Sequence, residues 1–177
     1  MFLTSAYAQN TSSSADRNTF LAGQIKDCPG CDLTGADLRG ANLSYASLHR
    51  ANLRNAKLEG ANLSGANLNK SNFQQANLTR ADLSNVLMYE ADFSAAKLDE
   101  AKIIDTRAQH ARLAQTSMKK AQLIGSLLRG TNLTGTDLSD ADLARTNFEE
   151  ALLRRANLSG AHLYGAAFQK AKLNEAN

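Results

Sequence analysis

From Cys31 to Asn177 the sequence advances in steps of five without an insertion or deletion: CDLTG, ADLRG, ANLSY, ASLHR, ANLRN, AKLEG and onward. There are 29 complete units and a two-residue remainder, Ala176-Asn177. So short a period constrains the fold tightly, because each unit repeats one conformation and buries its apolar side only against its neighbours. The third residue is Leu in 21 units, with Phe73, Phe93, Phe148, Phe168, Met88, Met118 and Ile103 in seven others, and Ala108 as the one small exception. The first residue is small throughout: counting the remainder, Ala fills 21 positions, Thr five and Ser two, with Val86 and Cys31 completing the set. The second, fourth and fifth residues are mostly Asn, Asp, Ser, Lys, Arg, Gln and Gly, so one side of each unit is apolar and the other is wet.

An α-helix cannot use this pattern. At about 100° per residue, five residues advance roughly 140° beyond a full turn, which scatters successive leucines around the axis. Extended backbone with a turn in every unit does use it, with positions one and three pointing inward before the chain bends a corner. Asn and Asp before the central residue, and Gly, Asn and Ser at the corners, supply turn chemistry. Four corners close a square coil, so residues twenty apart stack on successive coils.

These units resemble the pentapeptide-repeat family, whose consensus is A-(D/N)-L-x-x, over residues 31–177. The resemblance implies an all-β fold, a right-handed quadrilateral β-helix. At ~4.8 Å between stacked strands, about seven coils make a rod roughly 35 Å long. Each coil buries four leucine-like and four small side chains, and stacking on its neighbours stabilises it. Phe73 is expected under Phe93 and Phe148 under Phe168. In the column Leu48, Leu68, Met88, Ala108, Leu128, Phe148, Phe168, the alanine predicts a thin spot or small void.

The ends read differently. Residues 1–13 (MFLTSAYAQNTSS) are polar and low in complexity, and read as a disordered tail or a signal remnant. Residues 14–30 read as a capping helix and a turn: Ser14 or Asp16 can start a helix running to about Lys26, with Phe20, Leu21 and Ile25 on the face that covers the open end of the core. Cys28-Pro29-Gly30-Cys31 has two readings, a redox-active C-x-x-C or a structural pair closing a Pro-Gly turn. No thioredoxin-like βαβ pattern surrounds it and two cysteines cannot complete a zinc site, which favours the structural pair, either bridged or inert. Ala6-Tyr7-Ala8 matches a signal cleavage site, although a charged start and an apolar stretch are missing before it. Together with the close cysteines it points to export, to a periplasm or similar compartment; without them the chain reads as cytoplasmic. The final units lead to an open end lined by Leu158, Leu163, Phe168 and Leu173, which predicts end-to-end self-association.

Chemistry is hard to find in the remainder. His49 and His110 fall on one face but ~14 Å apart, and His162 falls on another. The glycines sit at repeat corners, not in phosphate loops, and no nucleophile elbow or metal-spaced cluster occurs. The reading is a non-enzyme with no cofactor, metal or small-molecule substrate. A net charge of +3 does not call for nucleic acid, and no apolar run reaches the ~20 residues of a membrane span.

Assigning units in turn to four faces, the first beginning at Cys31, gives net charges near +2, 0, −1 and +2. The neutral second face carries six charges of each sign and is expected to hold cross-coil ion pairs. On the third face, which begins at Ala41, the fourth-position column turns apolar half-way along: Ser44, Ser64, Ser84, Ile104, Ile124, Ala144, Tyr164. Ile104 and Ile124 are expected as exposed neighbours ~5 Å apart, and Ile104, Ile124, Ala144 and Tyr164 form the candidate interaction face. The function read from the sequence is therefore a binding or structural scaffold, with a protein partner or a second copy. The family resemblance implies one alternative: some members resemble B-form DNA in width and charge and bind DNA gyrase, conferring quinolone resistance. That mode resembles a strongly acidic dimer with a C-terminal dimerising segment. Against it stand the slightly basic charge, repeat units up to Asn177, and export from the compartment that holds gyrase.

Overall fold

A computed structural model describes residues 14–177. The expectation of a tail or signal remnant at residues 1–13 lies outside the described residues.

Beyond a short helix, the chain is one continuous coil. Parallel single-residue bridges join second positions twenty residues apart, from Asp32↔Asn52 to Leu152↔Lys172, so four units make each coil. The pairings stay isolated because a turn follows every three extended residues. Four backbone groups per unit repeat the same bonds, as in the unit that begins at Cys31. Leu33 N–H donates to Asn52 C=O (2.7 Å) and Gly35 N–H to Arg54 C=O (2.8 Å) in the next coil. Asn52 N–H donates back to Cys31 C=O (2.8 Å), and Ala36 N–H closes the turn on Leu33 C=O (3.0 Å).

This ladder leaves the fourth-position N–H without a backbone acceptor. The second-position Asn or Asp supplies one: Asn62 Oδ1 accepts from Ser64 N–H (3.0 Å) and Asp82 Oδ1 from Ser84 N–H (2.9 Å), and the same bond recurs along the rod. That is the physical reason for D/N at this position, since the side chain imitates a backbone turn. The fifth residue of all 29 units has a left-handed backbone, with φ between 52° and 70°. Nine of these residues are Gly and twenty are not. Positive φ at the third residue of the turn is what a type II turn has there.

The coil begins one unit earlier than the sequence suggests. Cys28 N–H donates to Ser47 C=O (3.0 Å), Gly30 N–H to His49 C=O (2.9 Å), and Cys31 N–H to Cys28 C=O (3.2 Å), which is the bonding of a repeat unit. Gly30 has φ 68°, and Pro29 occupies the turn position that a fixed φ suits. Lys26-Asp27-Cys28-Pro29-Gly30 is thus a degenerate unit, concealed because its third residue is Cys. Cys28 and Cys31 are joined by a disulfide that links adjacent inward positions across this corner, with Cα atoms 5.4 Å apart.

The helix α1, Ser14–Leu21, is shorter than expected. Gly23 stops it with φ 71°: Gln24 N–H donates to Thr19 C=O (3.1 Å) and Gly23 N–H to Phe20 C=O (2.8 Å), a Schellman ending. Because the chain leaves the helix there, the expected three-residue apolar face does not form. Phe20 is buried in the core, while Leu21 and Ile25 are 37% and 39% exposed. Arg17 Nε–H, donating to Asp32 C=O (2.7 Å), ties α1 to the first coil.

Inward positions are buried from Cys28 to Ala156, with only Ala41 half-buried among them. Phe73 and Phe93 stack with centroids 4.6 Å apart and planes 2° from parallel, and Phe148 and Phe168 at 5.0 Å and 12°. Ala108 is fully buried; the register sets Met88 one coil before it and Met118 on the opposite face of its own coil. Both side chains are flexible enough to fill an irregular gap. Buried hydroxyls, absent from the sequence reading of the core, occupy first positions: Thr106 donates to Leu83 C=O (2.7 Å) and Thr146 to Leu123 C=O (2.8 Å), each in the preceding coil. Ser126 is inserted into a turn, accepting from Thr106 N–H (2.9 Å) and donating to Ile103 C=O.

Candidate interaction surface

Every coil presents outward a second-position side chain from each face and the fourth- and fifth-position side chains from each corner. Fifth-position side chains lie along the rod, so opposite charges one coil apart meet: Lys70–Glu90 (3.7 Å), Arg80–Glu100 (3.0 Å), Arg155–Glu175 (2.8 Å) and Glu150–Lys170 (3.9 Å). The expected pairing on the second face is present in Arg80–Glu100 and Lys119–Asp137 (3.4 Å), but it is not special to that face. The first and fourth faces carry pairs as well, including Asp92–Arg112 (3.5 Å) and Arg129–Glu150 (3.2 Å). Exposed pairs of this kind contribute about 0–1 kcal/mol each.

The third face is the exception. It carries Asp82, Lys102, Asp105, Asp142 and Arg145, and among the described residues none of these is in an ion pair. Its apolar column differs from the expectation. Ile104, Ile124 and Ala144 are half-buried, because each side chain is covered by its neighbours one coil away. Tyr164 is 85% exposed, and Leu127, around the corner from Ile124 on the fourth face, is 38% exposed. In the last coil Leu163 and Leu173 are 40% and 41% exposed, while Leu158 and Phe168 are half-buried.

Several carboxylates are held below their ordinary pKa of 3.8. The side-chain hydrogen bond from Arg39 takes Asp37 down to about 2. The Thr34 hydroxyl lowers Asp32. Burial opposes the charged forms of Asp92 and Asp137, but hydrogen bonds outweigh it, from Ser94 and Gln74 to the first and from Ser139 and Lys119 to the second. These are ladder carboxylates accepting turn N–H groups, an environment that stabilises the charged form.

A cleft of about 430 Å³ lies under α1 beside Leu38 and Leu43, and one of about 380 Å³ beside His49, Arg50 and Lys70. His49 Nδ1 is 3.0 Å from Ser47 Oγ. Among the described residues no group of three or more His, Cys, Asp or Glu is placed to hold a metal ion. No helix among them is long and apolar enough to cross a membrane.

Comparison with known proteins agrees with this geometry. The profile "Pentapeptide repeats" matches in eight copies over residues 31–69, 46–85, 66–103 and 76–115, and "Pentapeptide repeat region" matches residues 102–177. The chain belongs to the pentapeptide-repeat family.

No curated protein matches this pentapeptide-repeat protein. Among solved structures it is similar to HetL, a pentapeptide-repeat protein involved in heterocyst differentiation regulation from the cyanobacterium Nostoc sp. strain PCC 7120. The two are 28% identical, over 85% of this chain and 86% of that one, with a TM-score of 0.52. It is also similar to QnrB1, a plasmid-mediated fluoroquinolone resistance protein, at 20% identity over 82% of this chain and 79% of that one, with a TM-score of 0.61. The second likeness is one of fold alone.

Proposed function

We propose that this pentapeptide-repeat protein is a non-enzymatic solenoid, a right-handed quadrilateral β-helix that serves as a protein-interaction or structural scaffold. The observation that carries this reading is the third face, where among the described residues none of five charged side chains is in an ion pair, while each of the other three faces carries at least two such pairs. Charges left unpaired beside half-buried apolar side chains suit a surface that is completed by another protein. The C-terminal coil, with Leu158, Leu163, Phe168 and Leu173, is a second contact region of this scaffold. The Cys28–Cys31 bridge, both of whose residues are fully buried, is read as a structural clamp on the first corner, not a redox centre.

Affinity capture from the native host, with compartments fractionated on the same samples, tests the reading. The wild type is expected to recover a protein partner or itself, and Ile124→Lys to lose what binds the third face. Recovery of gyrase would replace the scaffold reading with the DNA-mimic one, which the balanced charge of the rod disfavours. A chain that turns over substrate with no binding partner would refute both.

A further inference from the structure

We propose that the partner of the third face is a second copy of this chain, docked antiparallel along the corner after that face, about a two-fold axis crossing the rods at Gly125. The proposal deepens the scaffold reading and rests on it.

The argument begins with Asp105 and Arg145. Both are fifth-position charges on this corner, a position from which a side chain can pair with an opposite charge one coil away, as Lys70 does with Glu90. Between them stands Gly125, so they are two coils, roughly 10 Å, apart. Neither is in an ion pair.

In an antiparallel pair whose axis crosses both rods at Gly125, a residue one coil before the axis faces a residue one coil after it in the other copy. Asp105 then opposes Arg145, and by symmetry Arg145 opposes Asp105. The second-position column gives the same result, with Lys102 opposing Asp142. The fourth-position column sets the larger Ile104 against the smaller Ala144. On the axis, half-buried Ile124 and exposed Leu127 meet their own copies, and Gly125 carries no Cβ; the Asp105 carboxylate, which lies over Gly125 in the single chain, turns outward to meet Arg145 of the other copy. The contact is self-complementary in charge and size, as an isologous interface must be. A parallel side-by-side pair lacks this property, because it sets Asp105, Lys102 and Arg145 each against itself. Arg145 lies toward Gly165 in the single chain and swings back to meet its partner, a rearrangement open to an exposed side chain.

The experiment is a charge swap read by sedimentation. The wild type is expected to dimerise, and Asp105→Arg and Arg145→Asp each to weaken the dimer about tenfold or more by opposing like charges. The double variant is expected to recover most of the wild-type affinity, which no monomeric or end-to-end arrangement predicts. Ile124→Lys, with two charges on the axis, is expected to be monomeric and folded by circular dichroism. A double variant no tighter than the singles overturns the proposal, as does a dimer indifferent to all of these changes. A wild type that stays monomeric at high micromolar concentration but still captures a host protein overturns it and leaves the scaffold reading standing.

Discussion

Twenty of the thirty corners set a residue with a Cβ in left-handed backbone, and Ala95 is the simplest place to measure what that costs. Its φ is 58°, it is exposed, and its one backbone bond at this corner, Ala95 N–H to Ala114 C=O (2.9 Å), does not depend on the side chain. The left-handed conformation costs an L-residue about 1–2 kcal/mol through the clash of Cβ with the following carbonyl. Glycine removes that clash but gains about 0.4–1 kcal/mol of flexibility in the unfolded chain. Ala95→Gly should therefore stabilise the rod by about 0.5–1 kcal/mol, although the same change normally destabilises extended backbone. The converse is Gly135→Ala. A Cβ there meets nothing nearer than Gln115 Cγ at 3.8 Å, so space is available and only the φ of 67° resists. It should lose about 0.5–1.5 kcal/mol. Urea unfolding followed by circular dichroism reads both, provided the slope of the transition is unchanged. A loss of stability in Ala95→Gly would mean that the corners are not held in the left-handed conformation in solution, and would refute the account of the turn.

Three further predictions follow from the core and the ladder. Leu98→Asp, at a position 1% exposed, should cost several kcal/mol by burying an unpaired charge, whereas Ser64→Asp on the wet side should stay within about 0.5 kcal/mol; equal melting temperatures would refute the inward and outward register. Ser126→Ala removes the hydroxyl between Thr106 N–H and Ile103 C=O and should cost about 1–2 kcal/mol, less than two orphaned groups because that turn can close on itself as the others do; an unchanged urea midpoint would sink the idea that the inserted hydroxyl holds this corner. The lowered carboxylates fix the sign of the acid response. The unfolded chain takes up protons first, so stability present above the ordinary pKa of 3.8 is lost as pH falls toward the value of about 2 held by Asp37. Denaturant midpoints flat or rising from about pH 5 down to pH 2 would contradict it.

The coil was legible in the sequence because one physical requirement, a large inward side chain, recurs at every third position and tolerates only Leu, Phe, Met, Ile and Ala108. Where that requirement is met by an unusual residue the reading stops early. Cys28 fills a third position as a small apolar group, so the sequence pattern of its unit suggests only a turn, whereas its backbone bonds are those of a repeat. The helix ends before its sequence pattern suggests for a related reason. Apolar Leu21 and Ile25 suggested a continuing face, but Gly23 provides a Schellman ending that outweighs weak periodicity over so short a segment. The need for left-handed corners was also hidden, since glycine occupies only ten of the thirty positions that require it, Gly30 included.

Surface function is less legible because outward positions answer to no common requirement, yet the register still places them. The sequence predicts Ile104 and Ile124 as exposed neighbours, and they are half-buried because the stack that aligns them also covers them. The stronger signal was the charges around them. A fifth-position side chain reaches one coil, so a glycine between opposite charges leaves both without a partner inside the chain. Glu150, beside Gly130, is paired with Arg129 and Lys170. Asp105 and Arg145 have no such alternative, and the one coil between them is the distance over which a two-fold axis exchanges their places. The unpaired charges Asp105 and Arg145 stand symmetrically about Gly125, which is what the proposed antiparallel contact requires.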